Sequence, residues 1–276
     1  MLGTTMNTRH PVVFVSHGAP DLLLNPGATG ELWSALGRHL PRPKAILAVS
    51  AHWEANRPHV SATAPETIHD FGGFPPALYA MHYPTPGAVE LAGRVEALLG
   101  TGGLDIQMDQ RRGLDHGAWV PLKLMYPEAD IPVSQLAVQP RAGPAWHREL
   151  GRLLQPLRDE GVLILASGAI THNFGWLRQP GSPPFPPAVE FATWFGQTLT
   201  EGVDEALLDY RRRAPYGAVA HPTEEHLLPF FVAWGASGPK DRVTRLAPEY
   251  TYGGLAMDAY LWESDPGPGW TESMAE

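Results

Sequence analysis

Cysteine is absent from this chain of 276 residues. That excludes disulfides, thiolate zinc sites, iron–sulfur ligation and cysteine nucleophiles. Long hydrophobic runs are missing too. No stretch approaches the roughly 20 apolar residues of a membrane span, and the first apolar run, Val12 to Val15, is far too short for a signal-peptide core. A soluble, cytoplasmic protein with no membrane partner is the expectation. Charged residues make up only 18%, and 20 Lys and Arg against 29 Asp and Glu give a net charge of −9. No basic stripe offsets this balance, so no nucleic-acid partner is expected. The sequence also holds no Gly-x-Ser-x-Gly elbow, no phosphate loop, no dinucleotide glycine fingerprint and no His-Glu-x-x-His.

What is present is 43% hydrophobic residue content, enough for a sizeable core, and 29 each of Gly and Pro. Those two types lie between apolar runs and read as loop punctuation. Strand-like runs at Pro11–Val15, Lys44–Val49, Leu104–Met108, Val133–Val138 and Val162–Ala166 alternate with helical spacing. The helices are expected at Glu31–Leu40, Ala88–Leu99, Trp119–Tyr126, Trp146–Arg158, Val189–Leu199, Val203–Arg213 and Glu224–Trp234. Arg242–Leu246 and Tyr250–Tyr260 read as β-structure. Strand–helix alternation predicts one α/β domain with a largely parallel central sheet flanked by helices. Ile46–Val49 and Val162–Ala166 are apolar throughout, as parallel strands covered on both faces are. The domain is expected over residues 11–262, with tails at 1–10 and 263–276.

The chain carries 12 histidines. With no thiolate available, a transition-metal site must use imidazole and carboxylate. His17 follows Val12–Val15, His52 follows Ile46–Val49, and His172 comes six residues after Ala166, past Ser167-Gly168. Open α/β sheets bind ligands at the carboxyl ends of their strands. Any one of these histidines alone reads better as a loop residue bonded to backbone; three at one sheet edge favour a shared site. His221 and His226 lie about 140° apart on a regular helix, so both cannot face one site. His226, in the first turns of a helix introduced by Pro222, is the candidate, kept neutral by the positive helix end. His221 reads as a cap or loop residue, and Glu224 and Glu225 are candidate carboxylate partners for a ligand histidine but read better as a solvated helix start. Asp115-His116 opens another helix. There Asp115 serves either as N-cap or as a partner for an imidazole recognising substrate or oxygen. Residues 64–87, with five prolines and three glycines, form a long aromatic loop of the kind that covers or binds ligands. His10, His39, His59 and His147 read as surface residues.

Six segments occur in order: Ser16-His17-Gly18-Ala19-Pro20; Ser50-Ala51-His52-Trp53; Ile68-His69-Asp70-Phe71-Gly72-Gly73-Phe74-Pro75; Leu114-Asp115-His116-Gly117-Ala118-Trp119; Ser167-Gly168 with His172-Asn173; and Pro222-Thr223-Glu224-Glu225-His226. Together, over residues 11–260, they resemble the class III extradiol ring-cleavage dioxygenases, in the branch named after DOPA 4,5-dioxygenase. The resemblance implies an α/β fold, one non-haem Fe(II) and small vicinal aromatic diols cleaved with O2. By the resemblance, His17, His52 and His226 are metal ligands. His172 is an acid/base residue, or a fourth ligand when zinc is bound, and His116 lines the substrate pocket. Many class III enzymes use two histidines and a glutamate; here the implied shell is all histidine, which also suits Zn(II). Two alternatives are a zinc-dependent hydrolase using the same three histidines and a non-catalytic metal- or peptide-binding module.

Overall fold

The computed structural model describes residues 9–246 and 249–264. The expected tails therefore fall mostly outside the described residues. Ten strands run β1 (Val12–Ser16), β2 (Ala45–Glu54), β3 (His59–Ser61), β4 (Gln107–Asp109), β5 (Val133–Val138), β6 (Val162–Gly168), β7 (Arg242–Leu246), β8 (Tyr250–Thr251), β9 (Leu255–Ala256) and β10 (Ala259–Glu263). The longer helices are α1 (Gly27–His39), α2 (Val89–Thr101), α3 (His116–Met125), α4 (Gly143–Leu154), α5 (Pro186–Thr200) and α6 (Leu228–Ala236). Eight strands form one sheet in the order β4-β3-β5-β2-β6-β1-β10-β7. The central four, β5, β2, β6 and β1, are mutually parallel. The C-terminal strands β10 and β7 are added antiparallel at one side, and β3 pairs antiparallel with β5 at the other. No helix among the described residues is long and apolar enough to cross a membrane.

The two faces of the sheet explain the continuous apolar runs. Along β1, Val12 and Phe14 enter one core cluster and Val13 and Val15 the other. Along β6, Ile164 and Ala166 face the first, and Leu163 and Leu165 the second. A strand buried on both faces gains nothing from polar alternation. Helix α6, buried along its whole length, covers the first face, and α3 lies on the second.

Several boundaries differ from the sequence reading. The helix expected from Glu224 starts only at Leu228, with Pro229 in its first turn, so His226 precedes it. Proline suits that position because its missing N–H would be unpaired there anyway. The edge strand expected at 104–108 is the shorter β4. His10 and His147, read as surface residues, are buried. Each has a ring nitrogen bonded to a backbone carbonyl, His10 to Pro41 and His147 to Gly143. Such partners let a neutral imidazole enter the core.

Candidate metal centre

β2, β6 and β1 are neighbours and parallel, so their carboxyl ends share one edge. The pairing sets Ser50 beside Ser167, and Ser16 beside Gly168. His17 follows the last residue of β1, its N–H bonded to the Gly168 carbonyl at 2.9 Å. His52 lies on β2 where the pairing with β5 slips between Val49 and Glu54. Such irregularities commonly re-aim a side chain beside a site. The segment before α6 crosses the end of β6, where Ala169 N–H donates to the His226 carbonyl at 2.8 Å. A Cβ on Gly168 would collide with that carbonyl, so only glycine allows the approach.

The imidazoles converge. His52 Nε2 lies 3.0 Å from His17 Nε2 and 3.3 Å from His226 Nε2. The His116 ring centre is 4.0 Å from that of His52. His172 lies flat on His226, with 3.4 Å between ring centres and 8° between planes. Potential ligand atoms of His17, His52 and His116 lie within 4.8 Å of one another, as do those of His172, Glu225 and His226. His221 is buried elsewhere, bonded to the Ile170 carbonyl.

The other ring nitrogens fix where the protons are. Pro121 sits inside α3 and has no N–H to offer the Gly117 carbonyl one turn back. That carbonyl accepts from the Ser167 hydroxyl instead. Ser167 Oγ, its one proton so directed, must accept from His17 Nδ1 at 3.0 Å. His226 Nδ1 faces Glu225 Oε1 at 2.9 Å, and His52 Nδ1 faces Asp70 Oδ2 at 3.4 Å. A carboxylate selects the N–H form of the facing nitrogen.

Burial lowers all three imidazole pKa values, His17 and His226 well below the usual 6.5 and His52 to about 4, with repulsion among the neighbouring histidines adding to it. Each ring is thus neutral with its single proton on Nδ1. The His52 Nε2 lone pair faces those of His17 and His226 with no proton between them, an arrangement that repels until a cation enters. Nitrogen ligands about 2.0–2.1 Å from one ion sit roughly 3–3.5 Å apart, which matches the two separations from His52. The donor set fits a divalent metal.

Some partners were not read from the sequence or were weighed as the lesser reading. Asp70 Oδ1 accepts from His116 Nδ1 and from the His116 backbone N–H, each at 2.9 Å. Burial alone would raise the Asp70 pKa, but hydrogen bonding and charge from His116 lower it to about 2. Asp115, the sequence neighbour of His116, is the helix N-cap, accepting from Ala118 N–H. It also accepts from Ser50, Gln135 and Arg112. The carboxylate beside His116 therefore comes from 46 residues upstream. Glu225 is not a solvated helix residue, since its side chain is mostly buried against His226. The legible signals for Asp70 were its place in the long aromatic loop and in one of the six ordered segments.

The cluster opens into a cavity of about 450 Å³. Phe71 and Phe74 from the loop, Phe174 beyond β6, and Leu255 and Met257 from the C-terminal region form its apolar wall. His17, His52, His116, His172 and His226 all border it.

Residues 31–258 match the family model for the catalytic LigB subunit of aromatic ring-opening dioxygenase. A protein of Beta vulgaris named 4,5-DOPA dioxygenase extradiol is 41% identical over 261 residues, 91% of this chain and 96% of that protein. One of the same name from Escherichia coli K12 is 41% identical, covering 91% of this chain and 94% of its own. The crystal structure of an uncharacterized protein from Escherichia coli K12 superposes with a TM-score of 0.77 at 34% identity, over 92% of this chain and 99% of that one. With histidines gathered at the parallel-strand ends beside an aromatic cavity, this chain belongs to the LigB family and is an extradiol, aromatic ring-opening dioxygenase.

Proposed function

We propose that the domain of residues 11–262 cleaves a small vicinal aromatic diol with O2. One Fe(II) would be held by His17, His52 and His226, while His172 and His116 act on the substrate. The observation that carries this reading is the approach of His52 Nε2 to within 3.0 Å of His17 Nε2 and 3.3 Å of His226 Nε2, in the wall of an aromatic-lined cavity. Fe(II) bound there would supply the one-electron and oxygen chemistry.

The protein's own part is binding, orientation and proton handling. Phe71, Phe74 and Phe174 offer ring faces and edges to an aromatic substrate. His172 borders the cavity, stacked on His226, and burial lowers its pKa, so it is neutral and able to accept a diol proton. His116 donates a hydrogen bond from Nδ1–H to Asp70 Oδ1, leaving Nε2 to face a substrate oxygen. Asp70 also faces His52 Nδ1 and so orients both rings. The names of the relatives support a DOPA-like diol as substrate.

The test is oxygen uptake after anaerobic Fe(II) loading, over a panel of catechols. Stoichiometric uptake with loss of the catechol absorbance is expected. Metal-dependent ester or amide hydrolysis without oxygen uptake would support the zinc hydrolase. Binding without any turnover would support the non-catalytic module.

A further inference from the structure

Among the described residues no Lys or Arg lines the cavity beside the histidines, and residues 1–8, 247–248 and 265–276 contain neither type. The nearby cations are turned elsewhere. Arg178 follows the wall residue Leu177, but its guanidinium donates to the Gly175 and Leu177 carbonyls and lies over the Phe185 ring. Arg112 is bonded to Asp115 and to the backbone carbonyl of His52. Negative groups, by contrast, are close. Asp70 is part of the wall. Across Ala19, Tyr252 and Met257 a second cavity of about 430 Å³ adjoins the first, and Asp21 and Glu249 line it. Tyr252, on the shared wall, donates its hydroxyl proton to Asp21.

Resting on the ring-cleavage reading above, we propose that this site selects catechols whose ring substituent is neutral or cationic and discriminates against those bearing a net negative substituent. An anionic substituent entering against Phe71 and Phe74 loses part of its water and meets no compensating charge. Asp70 on one side and the Asp21–Glu249 cavity on the other repel it. The two ionised oxygens of a diol would already match the charge of one divalent ion, leaving none for a carboxylate. A substituent ammonium meets the opposite situation, with carboxylates on both sides and no competing Lys or Arg.

The experiment is anaerobic calorimetric titration of the Zn(II)-loaded protein, which holds the diol without turnover. Three catechols of similar size serve as probes: ethylcatechol, dopamine and homoprotocatechuate. Ethylcatechol and dopamine are expected to bind at least about tenfold more tightly than homoprotocatechuate. Equal or tighter binding of homoprotocatechuate overturns the proposal. Phe174→Lys places a cation in the wall at a residue already 74% exposed, so the fold tolerates it. It should close most of that gap by tightening homoprotocatechuate selectively, and an unchanged gap also overturns the proposal. Oxygen uptake by the Fe(II) protein is measured in parallel. If binding follows the expected order but no diol is consumed, the ring-cleavage reading fails while the charge preference stands. If none of the three binds, both fail.

Discussion

His17 holds its tautomer through Ser167, whose hydroxyl accepts from His17 Nδ1 at 3.0 Å while donating to the Gly117 carbonyl. That carbonyl is available because Pro121, one turn on, has no N–H. A helix imperfection thus fixes which nitrogen of a candidate ligand carries the proton. Ser167→Ala removes the acceptor and frees the ring to swap tautomers. Metal affinity should fall about 10–100-fold, the usual effect of losing such a partner. Competition with a chromogenic Zn(II) chelator measures it, and unchanged affinity would separate Ser167 from metal binding.

Ligand and acid/base roles separate by variant. His17→Ala, His52→Ala and His226→Ala should each lose metal and activity together, because two imidazoles hold a divalent ion far less well than three. His172→Ala should keep most of its metal and lose turnover by about 10²–10⁴. Metal content by mass spectrometry alongside oxygen uptake distinguishes the cases. A metal-free His172→Ala protein would make that residue a ligand first.

Metal retention should extend to lower pH than free imidazole would allow. Protons and metal compete for the same Nε2 atoms. An unshifted histidine would start to release metal as pH falls through about 6.5. Burial holds the His52 pKa at about 4, and His17 and His226 well below their usual value, so protons compete weakly until the pH approaches 4. Metal content after dialysis at a series of pH values should stay near that of neutral pH until about pH 5. Release centred at 6.5 would mean that the ligands are solvated.

His147 gives a stability prediction away from the centre. Its Nδ1 donates to the Gly143 carbonyl and its Nε2 accepts from Gln139 N–H, so the buried ring is satisfied only when neutral. Burial lowers its pKa to about 4, the Gly143 carbonyl opposing the shift. Above pH 6.5 the ring is neutral in both states and its contribution is complete. Between 6.5 and 4 the unfolded chain binds a proton that the folded one refuses, so stability falls as pH falls. The loss is on the order of 3 kcal/mol by pH 4. Urea unfolding near pH 7 and near pH 4.5 should show a smaller loss for His147→Gln than for the parent. Equal losses would remove His147 as a contributor.

The central strands were legible because their environment imposes a one-dimensional pattern. Val162–Ala166 is apolar at every position since both of its faces are covered, and His17 and His52 stand where parallel strands end. Local reading failed where a distant segment supplies the partner. The start of the last long helix was misplaced because Glu224 and Glu225 fit a helix opening by type. In the fold Tyr210 donates to Glu224, and Glu225 turns to His226. His226 is neutral chiefly through burial, not through a helix end, and burial has no local signature.

The sequence by itself determined the α/β layout, the histidine chemistry forced by the lack of cysteine, and the sheet edge at which three of the histidines lie. Those follow from periodicity and residue type, which act over a few neighbours. Only the tertiary structure decided that Asp70 rather than Asp115 serves His116, that Ser167 reads out the missing N–H of Pro121, and that the cavity wall is aromatic and, among the described residues, without Lys or Arg. Each of these joins segments tens of residues apart, and what brings them together is the strand order and the close approach at Gly168.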